Sequence, residues 1–227
     1  CRGCRGDTVI VDERLVTYIN SLDAGNTAML DQIEREATAD YVPIIRKEMQ
    51  SFLKLLLAMT KPKRILEVGT AVGFSSILMA EYDPVPCEIV TIENYEKRIP
   101  IARENFKRAG KEAQIALLEG DAGEILAGLS GSFDFIFMDA AKGQYLNFLP
   151  DVIALMADDA MLVSDNIFHD GDVLESRYAV LRRDRTIHGR MREYLQVLCE
   201  KEELETICLP IADGMTISTK KGNGKGE

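Results

Sequence analysis

Short apolar runs alternate with longer amphipathic segments along most of this chain. Apolar residues recur with helical spacing in 11–22 and 26–39, and a longer helix is predicted for 45–59. Strands are predicted at five short apolar runs, namely 64–68, 88–92, 114–118, 133–138 and 160–164. Helices are predicted between these strands, at 75–82, 95–109, 122–129 and 144–156.

Strands separated by helices of this length predict a parallel sheet with helices on both faces, which is a doubly wound α/β fold. After a helix near 187–201, two last apolar runs at 204–209 and 214–219 predict an antiparallel hairpin at the sheet edge. We therefore expect a single domain at 9–220 with a helical cap. The expected bounds of the other parts are 9–60 for this cap, 1–8 for a disordered leader and 221–227 for a frayed tail.

Composition narrows the class of protein. The chain has 227 residues, 46% of them hydrophobic, and its net charge of −10 argues against a protein that coats nucleic acid or a membrane surface. No apolar run approaches the roughly 18 residues that a membrane span needs, and no membrane partner is expected. The five cysteines are scattered, so we expect a reducing, cytoplasmic environment and no disulfide framework.

Two of the predicted strands end in oxygen-bearing side chains. The run from Phe133 ends in Asp139, with Lys142 three residues later, and the run 160–164 ends in Asp165 and Asn166. Because parallel strands end at the same edge of a sheet, these groups are expected to share one pocket. Oxygen ligands alone favour Mg²⁺, or Mn²⁺ or Ca²⁺, over zinc. The alternative is that Asp139 caps a helix and Asp165-Asn166 forms a turn.

A glycine turn, Gly69-x-x-x-Gly73, follows the first predicted strand and opens a helix. Glycine there would let a ligand approach the backbone closely, although a purely structural turn is the alternative. Glu93 ends the next strand, 20 residues after Gly73, where a carboxylate can accept both ribose hydroxyls of a nucleoside. The turn has neither three glycines nor the lysine of a P-loop.

The acids at the predicted strand ends indicate the charge of the cofactor. Glu67, Glu93, Asp121 and Asp139 are expected around one crevice, and a buried carboxylate such as Glu67 suggests a cationic ligand. S-adenosylmethionine has a positive sulfonium and an amino group, whereas NAD has a negative pyrophosphate. Acids around the crevice therefore favour S-adenosylmethionine as the cofactor. Asp121 has a second interpretation, as the cap of the next helix.

From about residue 40 to 220 the chain resembles the cation-dependent O-methyltransferases, the superfamily of catechol and caffeoyl-CoA O-methyltransferases. The matching segments are Leu66-Glu-Val-Gly-Thr-Ala-Val-Gly-Phe-Ser75, Thr91-Ile-Glu93, Gly120-Asp-Ala122, Phe137-Met-Asp-Ala-Ala-Lys142, Val163-Ser-Asp-Asn166 and Ala212-Asp-Gly-Met215. The resemblance implies a seven-stranded, Rossmann-like class I methyltransferase fold. It implies metal ligation by Asp139, Asp165 and Asn166, and Lys142 as the candidate base. It implies cofactor contacts from Ile45, Glu67, Gly69, Thr70, Gly73, Ser75, Glu93, Asp121, Ala122 and Asp139.

Within this superfamily, the segment 40–49 and an arginine-rich run at 177–192 are similar to bacterial tRNA 5-hydroxyuridine methyltransferases. Candidates for contacting RNA phosphates are Arg182, Arg183, Arg185 and Arg190. Candidates for stacking on a base are Phe168, Tyr178 and Tyr145. A solvated helix face or a dimer contact is the alternative for the arginines. The N-terminal helices are expected to cover the cofactor and to support a homodimer.

Four functions follow as hypotheses. The first is Mg²⁺-dependent methylation of 5-hydroxyuridine in tRNA, and the second is the same chemistry on a small catechol-like phenol. An NAD-dependent oxidoreductase is disfavoured by the missing third glycine, and a non-catalytic nucleotide-binding module by the intact strand-end acids. The sequence leaves the methyl acceptor, the ion and the oligomeric state open.

Overall fold

A computed structural model of the chain describes residues 12–169 and 171–221, so the leader predicted at 1–8 and the tail beyond Lys221 lie outside the described residues. Its centre is a seven-stranded sheet with the order β3-β2-β1-β4-β5-β7-β6. The strands are β1 (Arg64–Val68), β2 (Glu88–Glu93), β3 (Ile115–Glu119), β4 (Phe133–Met138), β5 (Met156–Asp165), β6 (Leu204–Leu209) and β7 (Met215–Lys220). Strands β1 to β5 pair in parallel, and β7 is antiparallel to both of its neighbours. The predicted parallel sheet with an antiparallel hairpin is confirmed.

The helices also follow the predicted pattern. They are α1 (Glu13–Asn20), α2 (Ala28–Ala39), α3 (Lys47–Thr60), α4 (Phe74–Tyr82), α5 (Ile99–Arg108), α6 (Ala122–Gly128), α7 (Tyr145–Leu155) and α8 (Arg185–Glu200). Two boundaries differ from the prediction by four residues. Helix α5 begins at Ile99 rather than at 95, with Pro100 in its first turn, a position that proline tolerates. Strand β5 begins at Met156, directly after α7.

Two hydrophobic cores, one on each face of the sheet, make the fold doubly wound. Buried residues of α2, α3, α4 and α5 pack against one face, through alternate strand positions such as Ile65 and Phe135. Buried residues of α6, α7 and α8 pack against the other face, where Leu66 and Ile136 point. This alternation along each strand is the period-2 pattern that places successive side chains on opposite faces.

Helix α1 differs from the others because none of its residues is buried. The apolar residues that predicted this helix, among them Leu15 and Ile19, are about half exposed. Pairing of two copies through this region stays a prediction. Within the ranges that the structure describes, no helix has the length and apolar character to cross a membrane.

The buried hydroxyl of Tyr145 ties the ends of β4 and β5 together. Tyr145 is fully buried at the start of α7. Its hydroxyl lies 3.2 Å from the carbonyl oxygen of Met138 and 3.1 Å from that of Asp165, and it accepts a bond from the Ala140 N–H at 3.3 Å. One side chain therefore holds the two loops that carry the predicted metal ligands.

The buried carboxylate of Glu67 similarly ties β1 to its neighbours. Its oxygens accept hydrogen bonds from the hydroxyls of Ser75 and Ser76 on α4 and from that of Thr91 on β2. Complete burial raises the pKa of Glu67 to about 7, although the hydrogen bonds from the three hydroxyls act to lower it. This network fixes the glycine turn between β1 and α4.

We predict that Tyr145→Phe lowers the free energy of unfolding by about 1–3 kcal/mol, because it leaves buried carbonyl and N–H groups without their partner. Urea denaturation checks this. Tyr178→Phe is the matched control, because its side chain is 87% exposed, and its effect should stay within about 0.5 kcal/mol. Equal effects of the two substitutions would contradict the role given to Tyr145.

We predict that Glu67→Gln weakens the pH dependence of stability. The folded state holds the Glu67 proton more tightly than the unfolded state, so the free energy of unfolding falls as pH rises from about 4.5 through 7. At about 1.4 kcal/mol per pKa unit, this loss amounts to ~3 kcal/mol above pH 7. Denaturation in EDTA at pH 5 and pH 8 measures it. The exposed Glu96→Gln should keep the wild-type slope, and an unchanged slope for Glu67→Gln would refute the assignment.

Candidate active site

The carboxyl ends of β4 and β5 bring three oxygen-bearing side chains together. Asp139 follows β4, Asp165 ends β5, and the two strands are neighbours in the sheet, with Met138 opposite Ser164. The amide nitrogen of Asn166 donates to Oδ1 of Asp139 at 3.1 Å. Asn166 has a φ of 57°, a left-handed conformation that asparagine tolerates better than most residues. The predicted convergence of these residues at one sheet edge is confirmed.

The two carboxylates at this edge are buried beside each other. Asp165 is 2% exposed, and burial raises the pKa of both Asp139 and Asp165. The charge of Asp139 raises the pKa of Asp165 further. A bound cation would relieve both effects, since it neutralises the repulsion and replaces the missing hydration.

The donor set fits a hard divalent cation. It has two carboxylates and one amide, all oxygen donors, and such ions often keep several water ligands. Among the described residues, no cluster of three or more His, Cys, Asp or Glu side chains forms a metal site. An ion held by Asp139, Asp165 and Asn166 would complete its coordination with water or substrate.

A cavity of about 560 Å³ opens above these residues. The predicted site residues that line it are Ile45, Gly69, Glu93, Asp139, Lys142, Asp165 and Asn166. One wall is the segment 43–46 between α2 and α3. The connection between α2 and α3 therefore contributes to the pocket, and coverage of a cofactor by the N-terminal helices stays a prediction.

Glu93 lies at the opposite side of this cavity from the carboxylate pair, where β2 ends. One of its oxygens accepts a bond from the Ala71 N–H at 2.7 Å, and the other accepts from Asn94 at 3.0 Å and Tyr95 at 2.8 Å. These bonds fix the orientation of the carboxylate. Since each oxygen has two lone pairs and three of the four accept these N–H groups, acceptor capacity remains for one ligand hydroxyl.

Gly69 is required for a reason that differs from the expected one. Its φ is 106°, and a Cβ atom there would lie 2.1 Å from the backbone oxygen of Asp139. The absent side chain thus allows β1 and the end of β4 to approach each other. Gly69 also lines the cavity, so it can have this packing role and still lie close to a ligand.

Six predicted cofactor residues do not line the cavity: Glu67, Thr70, Gly73, Ser75, Asp121 and Ala122. Instead, the hydroxyls of Thr70 and Thr91 are hydrogen-bonded at 2.6 Å, Gly73 is the N-cap residue before α4, and Ser75 donates to Glu67. Ala122 begins α6. Their contacts with a cofactor stay predictions.

Two of the four acids expected around one crevice, Glu67 and Asp121, do not line this cavity. Glu67 is buried where three hydroxyls donate hydrogen bonds to it inside the protein, so no cationic ligand is needed to explain it. Asp121 caps α6, where it accepts from the Gly123 and Glu124 N–H groups. Of the four acids, Glu93 and Asp139 face the cavity.

Several cavity residues were not predicted from the sequence. They include Arg46, Tyr95, Arg98 and Asp213. Nζ of Lys142 lies 3.5 Å from Oδ2 of Asp213, so a residue of the final hairpin reaches the candidate base. The motif Ala212-Asp-Gly-Met215 was a sequence signal for this residue, but it did not specify a role.

Two of the four arginines proposed for RNA bind backbone carbonyls of the protein. Arg185 donates to Val180 at 3.3 Å and Tyr178 at 3.4 Å, and Arg190 donates to Gly143 at 2.7 Å. These contacts hold the loop before α8 and connect α8 to the segment that bears Lys142.

The other two candidates, Arg182 and Arg183, are exposed. Nε of Arg183 lies 3.3 Å from Asp184. Of the aromatic candidates for base stacking, Tyr178 is exposed. The prediction for Tyr145 is wrong, because its ring is fully buried and its hydroxyl bridges two strand ends.

Comparisons with known proteins agree with this geometry. The family model described as O-methyltransferase matches residues 20–221. Caffeoyl-CoA O-methyltransferase 1 of Eucalyptus globulus is 32% identical over 176 residues, covering 73% of this chain and 70% of the relative. A catechol O-methyltransferase of Niastella koreensis is 37% identical over 128 residues, covering 55% of this chain and 58% of that protein.

A solved structure extends the agreement to the whole fold. The SAH-bound methyltransferase of Podospora anserina superposes with a TM-score of 0.85 at 25% identity, covering 97% of this chain and 98% of the other. The family model, the sequence relatives and the shared fold lead to the same assignment. This chain belongs to the O-methyltransferase family.

Proposed function

We propose that this protein transfers the methyl group of S-adenosylmethionine to 5-hydroxyuridine in tRNA, with a divalent cation, Mg²⁺ by preference. The observation that supports this most is the shared cavity. Asp139, Asp165, Asn166 and Lys142 line the same space as Glu93. Three candidate cation ligands, a candidate base and a carboxylate that could bind a ribose thus line one cavity.

The cofactor assignment rests on family membership and on the place of Glu93 in the cavity. S-adenosylmethionine supplies an electrophilic methyl group. SAH, its demethylated product, is the ligand bound in the Podospora anserina structure. In this chain, Glu93 would accept a ribose hydroxyl, with its carboxylate already oriented by three N–H groups. Asp139 would face the positive end of the cofactor from the opposite side.

The residues at the acceptor end can prepare a hydroxyl for attack. A divalent cation held by Asp139, Asp165 and Asn166 would supply Lewis acidity that lowers the pKa of an acceptor hydroxyl. In its neutral form, Nζ of Lys142 would receive the proton of that hydroxyl as general base, and the resulting ammonium would lie beside the carboxylate of Asp213. The walls of the cavity then orient the oxyanion toward the methyl carbon, and orientation alone can contribute effective molarities of about 10⁵ M or more.

The tRNA acceptor is supported by the arginine-rich segment. Arg190 binds the carbonyl of Gly143, so this segment contacts the residue next to Lys142, which lines the cavity. Arg182 and Arg183 are exposed in the preceding loop, where they could contact phosphates. The 5-hydroxyl and O4 of 5-hydroxyuridine are adjacent oxygens, like the two oxygens of a catechol.

A small catechol-like phenol is the second candidate acceptor. The sequence relatives favour it, since they are a catechol O-methyltransferase and a caffeoyl-CoA O-methyltransferase. The same cation site would serve both acceptors, because both present vicinal oxygens. The two proposals differ in the reacting ring and in the group attached to it.

We predict methyl transfer to tRNA that contains 5-hydroxyuridine. Purified protein, Mg²⁺ and radiolabelled S-adenosylmethionine are incubated with undermodified tRNA or with a catechol, and nucleosides are analysed by mass spectrometry. The expected product is 5-methoxyuridine, and EDTA should abolish its formation. Asp165→Asn is the negative control, since it lacks one carboxylate of the cation site. Transfer to the catechol alone would reject the tRNA proposal, and transfer to neither would reject both acceptors.

We predict that the double substitution Arg182→Ala and Arg183→Ala raises KM for tRNA, leaves the affinity for S-adenosylmethionine unchanged and lowers the salt dependence of tRNA binding. The slope of log affinity against log salt should decrease by about 1 for each phosphate that the variant no longer neutralises. Arg35→Ala, an exposed arginine on α2, is the matched control. A wild-type KM for tRNA in the double variant would argue against this surface.

A further inference from the structure

An ion pair spans the acceptor end of the cavity. Nζ of Lys142 lies 3.5 Å from Oδ2 of Asp213, and both residues line the cavity. The Asp213 side chain is 5% exposed, whereas that of Lys142 is 23% exposed. The two residues come from distant parts of the chain, one from the loop after β4 and the other from the connection between β6 and β7.

The backbone around Asp213 is fixed on both sides. The carbonyl of Asp213 accepts a bond from the Phe168 N–H at 2.9 Å, and the Gly214 N–H donates to Ile211 at 2.8 Å. Gly214 has a φ of 79°, and a Cβ atom there would lie 2.1 Å from the ring of Phe168. Asp213 is therefore held in a tight turn packed beneath an aromatic ring.

The backbone of Lys142 is also fixed, but its side chain is long. Lys142–Gln144 forms one turn of 3₁₀-helix, and Arg190 binds the Gly143 carbonyl at 2.7 Å. Four rotatable bonds still separate Nζ from this backbone. A lysine side chain loses much rotamer freedom when it is ordered. A rigid, buried carboxylate beside Nζ supplies the interaction that offsets this loss before an acceptor binds.

We propose that Asp213 is a positioning residue for methyl transfer, which fixes Nζ of Lys142 at the acceptor end of the cavity. This inference rests on the proposed function, since it gives Asp213 a role through the candidate base. Asp213 acts on the position of Lys142, and Lys142 acts on the acceptor.

The first test measures Lys142 without any turnover. Wild type and Asp213→Asn, both in EDTA, are treated with a limiting amine-reactive ester, and labelling of each lysine is followed by mass spectrometry. The exposed Lys97 provides the internal reference. The labelling rate of Lys142 should rise severalfold in Asp213→Asn. An unchanged rate would overturn the proposal.

The second test measures catalysis at saturating Mg²⁺ and S-adenosylmethionine. Asp213→Asn should lower kcat by about 10- to 100-fold, the effect expected of a misplaced reacting group, and leave KM for S-adenosylmethionine near wild type. Asp213→Glu should recover part of the loss. Glu205→Gln is the matched control, because Glu205 forms an ion pair of the same length, 3.5 Å, with Lys221 at the distal end of the same hairpin.

The third test combines Asp213→Asn with Lys142→Met. If Asp213 acts through Lys142, then Asp213→Asn has little further effect on kcat when Lys142 is already absent. An equal loss in both backgrounds would overturn the proposal, because it would place the action of Asp213 on the cation site or on the fold. Absence of transfer by the wild type would reject the proposed function instead, and the labelling rates would still decide whether Asp213 fixes Lys142.

Discussion

Two buried carboxylates side by side, Asp139 and Asp165, are the feature around which the candidate active site is organised. Burial raises the pKa of each, and the charge of Asp139 acts on Asp165 in the same direction. Such a pair is unfavourable in isolation, so the surrounding fold must hold it in place. The adjacent parallel strands and the hydroxyl of Tyr145 do so by joining the two strand ends directly. A divalent cation is the ligand that would turn this unfavourable arrangement into a favourable one.

The strand-end acids divide into those that stabilise the protein and those that face the cavity. Glu67 and Asp121 are satisfied by hydroxyls and by helix N–H groups inside the protein. Glu93 does both, since backbone N–H groups orient it while it lines the cavity. The arginines near α8 show the same division, because Arg185 and Arg190 hold backbone carbonyls while Arg182 and Arg183 are exposed.

Much of the fold could be predicted from the sequence, because continuous apolar runs and helical periodicity are strong local signals. All seven strands and the positions of Asp139, Asp165 and Asn166 were found in this way. The direction of individual side chains was harder to predict. Glu67 and Asp139 lie at or near strand ends, yet only tertiary packing decides that one is enclosed by hydroxyls and the other faces the cavity. The partners of Arg190 and Asp213 were missed because backbone carbonyls and long-range ion pairs leave no local sequence pattern.

The cation site is the feature on which the proposed chemistry depends most, and a crystal of the protein soaked in Mn²⁺ with SAH tests it most directly. An anomalous difference map should show one strong peak within about 2.0–2.6 Å of oxygens of Asp139, Asp165 and Asn166, the range of hard-cation ligation. The peak should be absent from crystals of Asp165→Asn grown under the same conditions. A map without a peak at these three residues, or with the ion bound elsewhere in the cavity, would contradict the central claim.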